Sequence, residues 1–237
     1  MNRTVTEPLR KVLLHAARTH AQALPPIEWR KYLLKEPRER VRELRADEEA
    51  ALFAVLREDY AAPVRFALLT GCRLAEIAGL TWDDVDFGNR RIWITGKGGK
   101  RASVPMPPSV RAVLWAERGR HPVAVFTYAV RRPGLVGPRA RRGDRAPITR
   151  EGMKITVRRA IAAAGLSGFR FHDLRHTAAT RVLRATGNLR TVQTLLRHDR
   201  VETTTKYAHV TDDDVMQAME AAAAPAAPSR GKDSANG

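Results

Sequence analysis

Six side chains in this sequence have the chemistry to act on a phosphate ester: Arg73, Lys97, His172, Arg175, His198 and Tyr207. Arginine presents a planar fork of donors that matches two phosphate oxygens, and histidine moves a proton near neutral pH. Lysine is a compact charge that can serve as an acid. A tyrosine hydroxyl has an ordinary pKa near 10. It becomes a nucleophile only where something takes its proton or stabilises the phenolate, which a cluster of cations would do. A reaction of this kind needs the six groups to converge from segments as far apart as Arg73 and Tyr207.

Each segment also has a plainer reading. In Thr70-Gly71-Cys72-Arg73-Leu74-Ala75-Glu76-Ile77, a spacing of three puts Arg73 and Glu76 on one face of a helix whose other residues are built for burial. An unpaired arginine there would cost roughly several kcal/mol, so the two either form a buried ion pair or share a site. His172 and Arg175 share a face by the same spacing. His172 and His176, four apart, could hold zinc, but Arg175 lies between them and Asp173 stands where such a motif needs glutamate. His198 and Tyr207 are close enough in sequence for a turn and a short helix to bring both to one pocket, although a lone tyrosine is more often a core or surface residue.

The elements that must position these groups follow from periodicity. Apolar Leu9, Val12, Leu13 and Ala16 predict a helix over residues 1–20, stopped by Leu24-Pro25-Pro26 and followed by an extended arm over 27–39. Asp47-Glu48-Glu49 open a second helix with charges that suit its dipole. Residues 64–80 read as a core helix broken at Thr70-Gly71. The period then changes to two: residues 90–95 and 102–106 are strands joined by a glycine-rich turn, and a short strand over 85–87 completes three. Residues 131–147, rich in Arg, Gly and Pro, form a mobile basic loop. Helical pieces run from Thr149 to about Ala222, and residues 221–237 are a disordered tail. The fold class is mainly α with a small antiparallel three-stranded sheet (α+β).

A chain of 237 residues, 43% of them hydrophobic, can bury a core, and its formal charge of +17 points to a polyanionic partner. Residues 131–200 hold 17 Lys/Arg against 4 Asp/Glu, so the excess is concentrated, as an electrostatic footprint on nucleic acid would be. A solvated basic face is the plainer alternative. Cys72 is the only cysteine, which excludes an internal disulfide or a multi-cysteine zinc site and fits a reducing cytoplasm. No apolar run approaches the roughly 18 residues of a membrane span, and the amino terminus has no secretory apolar stretch. Gly96 to Lys100 does not make a phosphate-binding loop: no Ser or Thr follows the lysine at the required spacing, and the turn joins two strands.

Together, segments 70–80, 96–106, 172–180 and 195–210 resemble the four diagnostic boxes of the tyrosine recombinases of the phage integrase family, in the family's order. The resemblance implies a tyrosine recombinase catalytic domain in which Arg73 and Arg175 grip the scissile phosphate. Glu76 supports them, Lys97 protonates the leaving 5′-oxygen, His172 assists proton transfer, and His198 donates a hydrogen bond to phosphate. Tyr207 attacks phosphorus to give a 3′-phosphotyrosyl link. It further implies double-stranded DNA as partner, a tetramer on DNA, no metal or other cofactor, no membrane, and a cytoplasmic, nucleoid-associated protein encoded by a bacterium, phage or mobile element.

The implied boundaries are a catalytic domain over 40–212, a terminal helix and tail over 213–237, and a remnant of a core-binding domain over 1–39. Relatives carry a whole core-binding domain of roughly 80–100 residues, an ordinary domain size. A truncated product or excised fragment is therefore expected, and a DNA-binding module without cleavage is the alternative function. Residues 215–221 would dock a terminal helix into a neighbouring protomer or pack on their own domain. Arg197 departs from the pattern, standing where relatives usually have glycine, so either the turn there differs or it gains a phosphate contact.

Overall fold

The structure, a computed structural model, describes residues 2–34, 41–96, 99, 101–132, 140–197, 204–207, 216 and 219. The chain divides into two compact units, 1–40 and 41–237. In the first, a π turn at Asn2–Thr6 leads into α1 (Glu7–Thr19), which buries none of its residues. The segment expected to be an extended arm instead contains a one-turn helix, α2 (Trp29–Tyr32). Its far end is tied back where Asn2 Nδ2 donates to the Leu34 carbonyl at 2.7 Å and Leu34 N donates to Asn2 Oδ1 at 2.9 Å.

The second unit opens with α3 (Ala46–Val55), whose first turn carries Asp47, Glu48 and Glu49. Two hydrogen bonds with Arg42, one of them 2.8 Å to Oε2, hold the Glu48 carboxyl down at about 2. The core helix expected to break at Thr70-Gly71 does so, into α4 (Ala61–Thr70) and α5 (Leu74–Ala78), with Gly71 at φ 62°. That left-handed conformation suits a residue without Cβ. Here the space matters as well, because a Cβ on Gly71 would sit 2.8 Å from Leu196 Cδ2.

The expected sheet forms in the order β1 (Val85–Asp86), β2 (Arg91–Thr95), β3 (Arg101–Pro105), all antiparallel. Ile92 faces Val104 and Ile94 faces Ala102, which sends Ile92, Ile94 and Val104 into the core while Arg91 and Thr95 face outward. Two elements have no counterpart in the sequence reading. One is α6 (Pro108–Glu117), which buries Val110 and Leu114. The other is a second antiparallel pair, β4 (Thr127–Ala129) with β5 (Arg145–Pro147). The end of the expected basic loop is therefore a strand; its residues 133–139 lie outside the described residues.

Three helices complete the domain. The side chain of Thr149 caps α7 (Arg150–Ala163). Gly187, at φ 62°, terminates α8 (Asp173–Thr186), and Asn188 Oδ1 caps α9 (Leu189–Leu196) by accepting from Arg190 N at 2.8 Å. The main core gathers Leu52, Phe66, Ile77, Ile92, Met106, Leu114, Met153 and Leu174. A smaller cluster of Ala179, Val192, Leu196 and Tyr207 fills the space between α8 and α9. The result is a mainly helical domain with small antiparallel sheets. The expected terminal helix and tail fall outside the described residues, apart from helical Met216 and Met219.

Candidate active site

Arg175 is the centre of the arrangement. It lies in the first turn of α8 and is 3% exposed. Its Nη1 donates to the Gly71 carbonyl and its Nη2 to the Leu196 carbonyl, each at 2.5 Å. Both carbonyls belong to helix ends, where backbone oxygens have no partner within their own helix. One guanidinium therefore joins the last turns of α4 and α9 to the first turn of α8. Burial, reinforced by the charges of Arg73 and Arg197, pulls its pKa down to about 10, so it is a full cation at neutral pH in a place that disfavours cations. Each Nη carries a second N–H, and the charge calls for an anion.

Arg73 contradicts the sequence expectation of a residue inside a buried helix. It is the N-cap of α5, with extended backbone (φ −75°, ψ 153°), and its side chain is 47% exposed. Its backbone N donates to Glu76 Oε2 at 2.8 Å and its Nη1 to Glu76 Oε1 at 2.9 Å. The spacing of three reflects a capping box, in which the third helical residue reaches back to the cap. The ion pair is real, but only the Glu76 end is buried.

Glu76 has a second partner. Arg197 Nη2 donates to its Oε2 at 2.7 Å and also lies 3.7 Å from Cys72 Sγ. Burial would raise the Glu76 pKa, but the Arg197 charge and the hydrogen bonds from Arg73 outweigh it, and the net shift is downward. Arg197 sits at φ 54°, the left-handed region where glycine is the unstrained choice. The arginine that departs from the family pattern thus reaches back across the site to a shared carboxylate. Cys72, buried beside it, has its thiol pushed up by desolvation.

Tyr207 closes a single 3-10 turn, Thr205–Tyr207, and is 4% exposed. Its Oη is 2.8 Å from His176 Nδ1. His172 is exposed at the N-cap of α8, with its ring edge-on to that of His176 at 5.0 Å between centroids. The structure thus gathers Arg73, Glu76, Arg175 and Tyr207 around the start of α8, with His172 at its edge. Lys97 and His198 lie outside the described residues. The sequence reading missed two members. From the sequence, His176 reads only as a metal ligand, and Arg197 as a departure that alters the turn or adds a phosphate contact. Nothing local in the sequence ties His176 to a tyrosine 31 positions away.

Two arginines, a shared carboxylate and a histidine-bonded tyrosine thus converge within a mainly helical domain. The phage integrase family matches residues 42–214, most of the chain, and the chain belongs to that family. It is 39% identical over 157 residues to the tyrosine recombinase XerC of Bifidobacterium longum subsp. infantis, covering 63% of this chain and 43% of that protein. With XerC of Mycobacterium tuberculosis it shares 36% identity over 149 residues, 62% of this chain and 48% of the relative. The chain thus spans less than half the length of these curated relatives. Among solved structures, the transposon Tn1549 integrase in complex with a circular intermediate DNA superposes with a TM-score of 0.66 at 19% identity, over 92% of this chain and 78% of that one. A lambda integrase dimer bound to a core site gives 0.62 at 18%, over 89% and 73%. These likenesses establish the fold.

Proposed function

We propose that this chain carries the catalytic part of a site-specific DNA recombinase that cleaves and rejoins strands through a 3′-phosphotyrosyl intermediate. The observation that supports this most is the Arg175 bridge. A single buried cation, held between the ends of α4 and α9, collects Arg73, Glu76 and Tyr207 from segments more than 100 residues apart. In this reading Arg73 and Arg175 bind the non-bridging phosphate oxygens and stabilise their charge in the transition state. Tyr207 attacks phosphorus. Lys97 protonates the leaving 5′-oxygen, His172 assists proton transfer, and His198 donates to phosphate. Bond energy is kept in the phosphotyrosine, so rejoining by a 5′-hydroxyl requires no further energy source.

The partners proposed are double-stranded DNA and further copies of the recombinase assembled on it, in the cytoplasm at the nucleoid. Support comes from the +17 charge and from XerC relatives named as tyrosine recombinases. Residues 40–212 are proposed as the catalytic domain, with 1–39 belonging to a DNA-clamping domain and 213–237 to an assembly segment. The test is a pool of nicked duplexes of randomised sequence, incubated with the chain and resolved on a denaturing gel. A covalent adduct is expected from the native chain and none from Tyr207→Phe, with DNA binding nearly unchanged, and the DNA recovered from the adduct would define the site. An adduct persisting in Tyr207→Phe would remove that tyrosine as nucleophile. Binding with no adduct from either chain would leave a DNA-binding module.

A further inference from the structure

We propose that His176 is the base that takes the phenolic proton of Tyr207 as its oxygen attacks phosphorus; the inference rests on Tyr207 being the nucleophile. His176 Nδ1 and Tyr207 Oη are 2.8 Å apart, ordinary hydrogen-bond distance for a nucleophile and its base. Both residues are buried, His176 at 2% exposure and Tyr207 at 4%, so bulk water has little access to collect the proton. A phenol with an ordinary pKa near 10 is almost wholly protonated at neutral pH. The guanidiniums of Arg73 and Arg175 stabilise negative charge but, permanently protonated, do not accept a proton at that pH. An imidazole can.

The placement of His176 is set by rigid elements. It follows Arg175 on α8, so the group that binds phosphate and the group that faces the nucleophile are carried by adjacent residues of one helix. Tyr207 is held from the other side by its packing on Ala179, Val192 and Leu196. The step balances. As the Tyr207 Oη–P bond forms and the P–O5′ bond breaks, the phenolic proton moves to His176 Nδ1 and the departing 5′-oxygen takes a proton from Lys97. In rejoining, a 5′-hydroxyl attacks, its proton returns to Lys97, and the His176 imidazolium protonates the Tyr207 oxygen as it leaves.

The test measures single-turnover adduct formation on nicked duplex for His176→Asn, which keeps a hydrogen-bonding group near the Nδ1 position but is no base. We expect a loss of about 100-fold or more, the usual scale of a general base, with unchanged DNA affinity. Trifluorotyrosine incorporated at position 207 has a much more acidic phenol and depends less on a base. With both rates taken relative to the same phenol in the His176 background, it should recover at least about tenfold of the His176→Asn defect. A native rate in His176→Asn, or the same defect with both phenols, would reduce His176 to a packing residue. If a thermal melt shows that His176→Asn does not fold, His176→Gln supplies the comparison. Loss of the nucleophile assignment would be seen separately, as an adduct persisting in Tyr207→Phe.

Discussion

Arg73 and Arg175 present the same functional group to the same site from opposite surroundings. Arg175 is buried at the junction of three helices and holds two backbone carbonyls, so it is part of the fold's framework. Arg73 stands at the rim on the N-terminus of α5 with nearly half its side chain in solvent, tied to Glu76. A desolvated cation interacts strongly with an arriving phosphate because water does not screen it, and it burdens the empty domain for the same reason. A rim cation costs the fold little and can follow its ligand. The site combines a fixed guanidinium and an adaptable one.

Three substitutions test that contrast. Arg175→Ala should have the largest effect, because it leaves the Gly71 and Leu196 carbonyls without their donor and opens a space beneath α8. We expect a loss of about 3 kcal/mol, seen as a fall in Tm on the order of 10 °C, together with loss of adduct formation. A variant that melts like the native chain would show that the bridge is not structural. Arg73→Ala should separate the two properties. Stability should change by no more than about 1 kcal/mol, as for a half-exposed ion pair, while single-turnover cleavage falls roughly 100- to 1,000-fold. Equal damage to stability would erase the distinction between rim and core.

Arg197→Gly should have the smallest effect. Relief of the left-handed backbone gains about 1 kcal/mol, which offsets loss of the Glu76 pair, so the Tm at neutral pH should move by only a few degrees. The difference should emerge in acid. The folded-state pKa of Glu76 lies below its ordinary value. Its stabilisation is therefore present above the unfolded pKa and is lost as pH falls through the folded one. Without the Arg197 charge that folded pKa rises, and acid unfolding should begin at a higher pH, as read by circular dichroism. Superimposable acid curves would show that Arg197 does not set the Glu76 charge.

What could be read from the sequence depended on how local the cause was. The β2 and β3 strands were legible, β2 because apolar Ile92 and Ile94 alternate with less buried residues. The break between α4 and α5 was legible from Gly71. The β4–β5 pair was not, because a three-residue strand carries no period. It is held by distant partners, with Arg145 Nη1 donating to Asp59 Oδ1 at 2.7 Å and Arg57 Nη2 to the Ala129 carbonyl at 2.6 Å. The α6 segment carries one local signal, Pro107-Pro108, which suits a first helical turn. Arg73 was placed in a helix because a spacing of three fits both a shared helical face and a capping box, and only the backbone angles distinguish them. The convergence was legible for Arg73, Arg175 and Tyr207, whose residue types suggest a shared chemistry. It was not legible for His176, whose role depends on contact with a segment far along the chain.

The Arg175 bridge also has a consequence in time. Ribosomes make the chain from its amino terminus, and domains tend to gain structure as they emerge. The α3–α7 core can begin to pack early, but the guanidinium of Arg175 acquires its second carbonyl only when Leu196 is available, and Tyr207 comes later still. The last contacts to close are those that assemble the reactive groups, with sequence separations of 104 for the Gly71 bond, 21 for the Leu196 bond and 31 for the His176–Tyr207 pair. The reactive groups therefore come together only after the scaffold that positions them is in place.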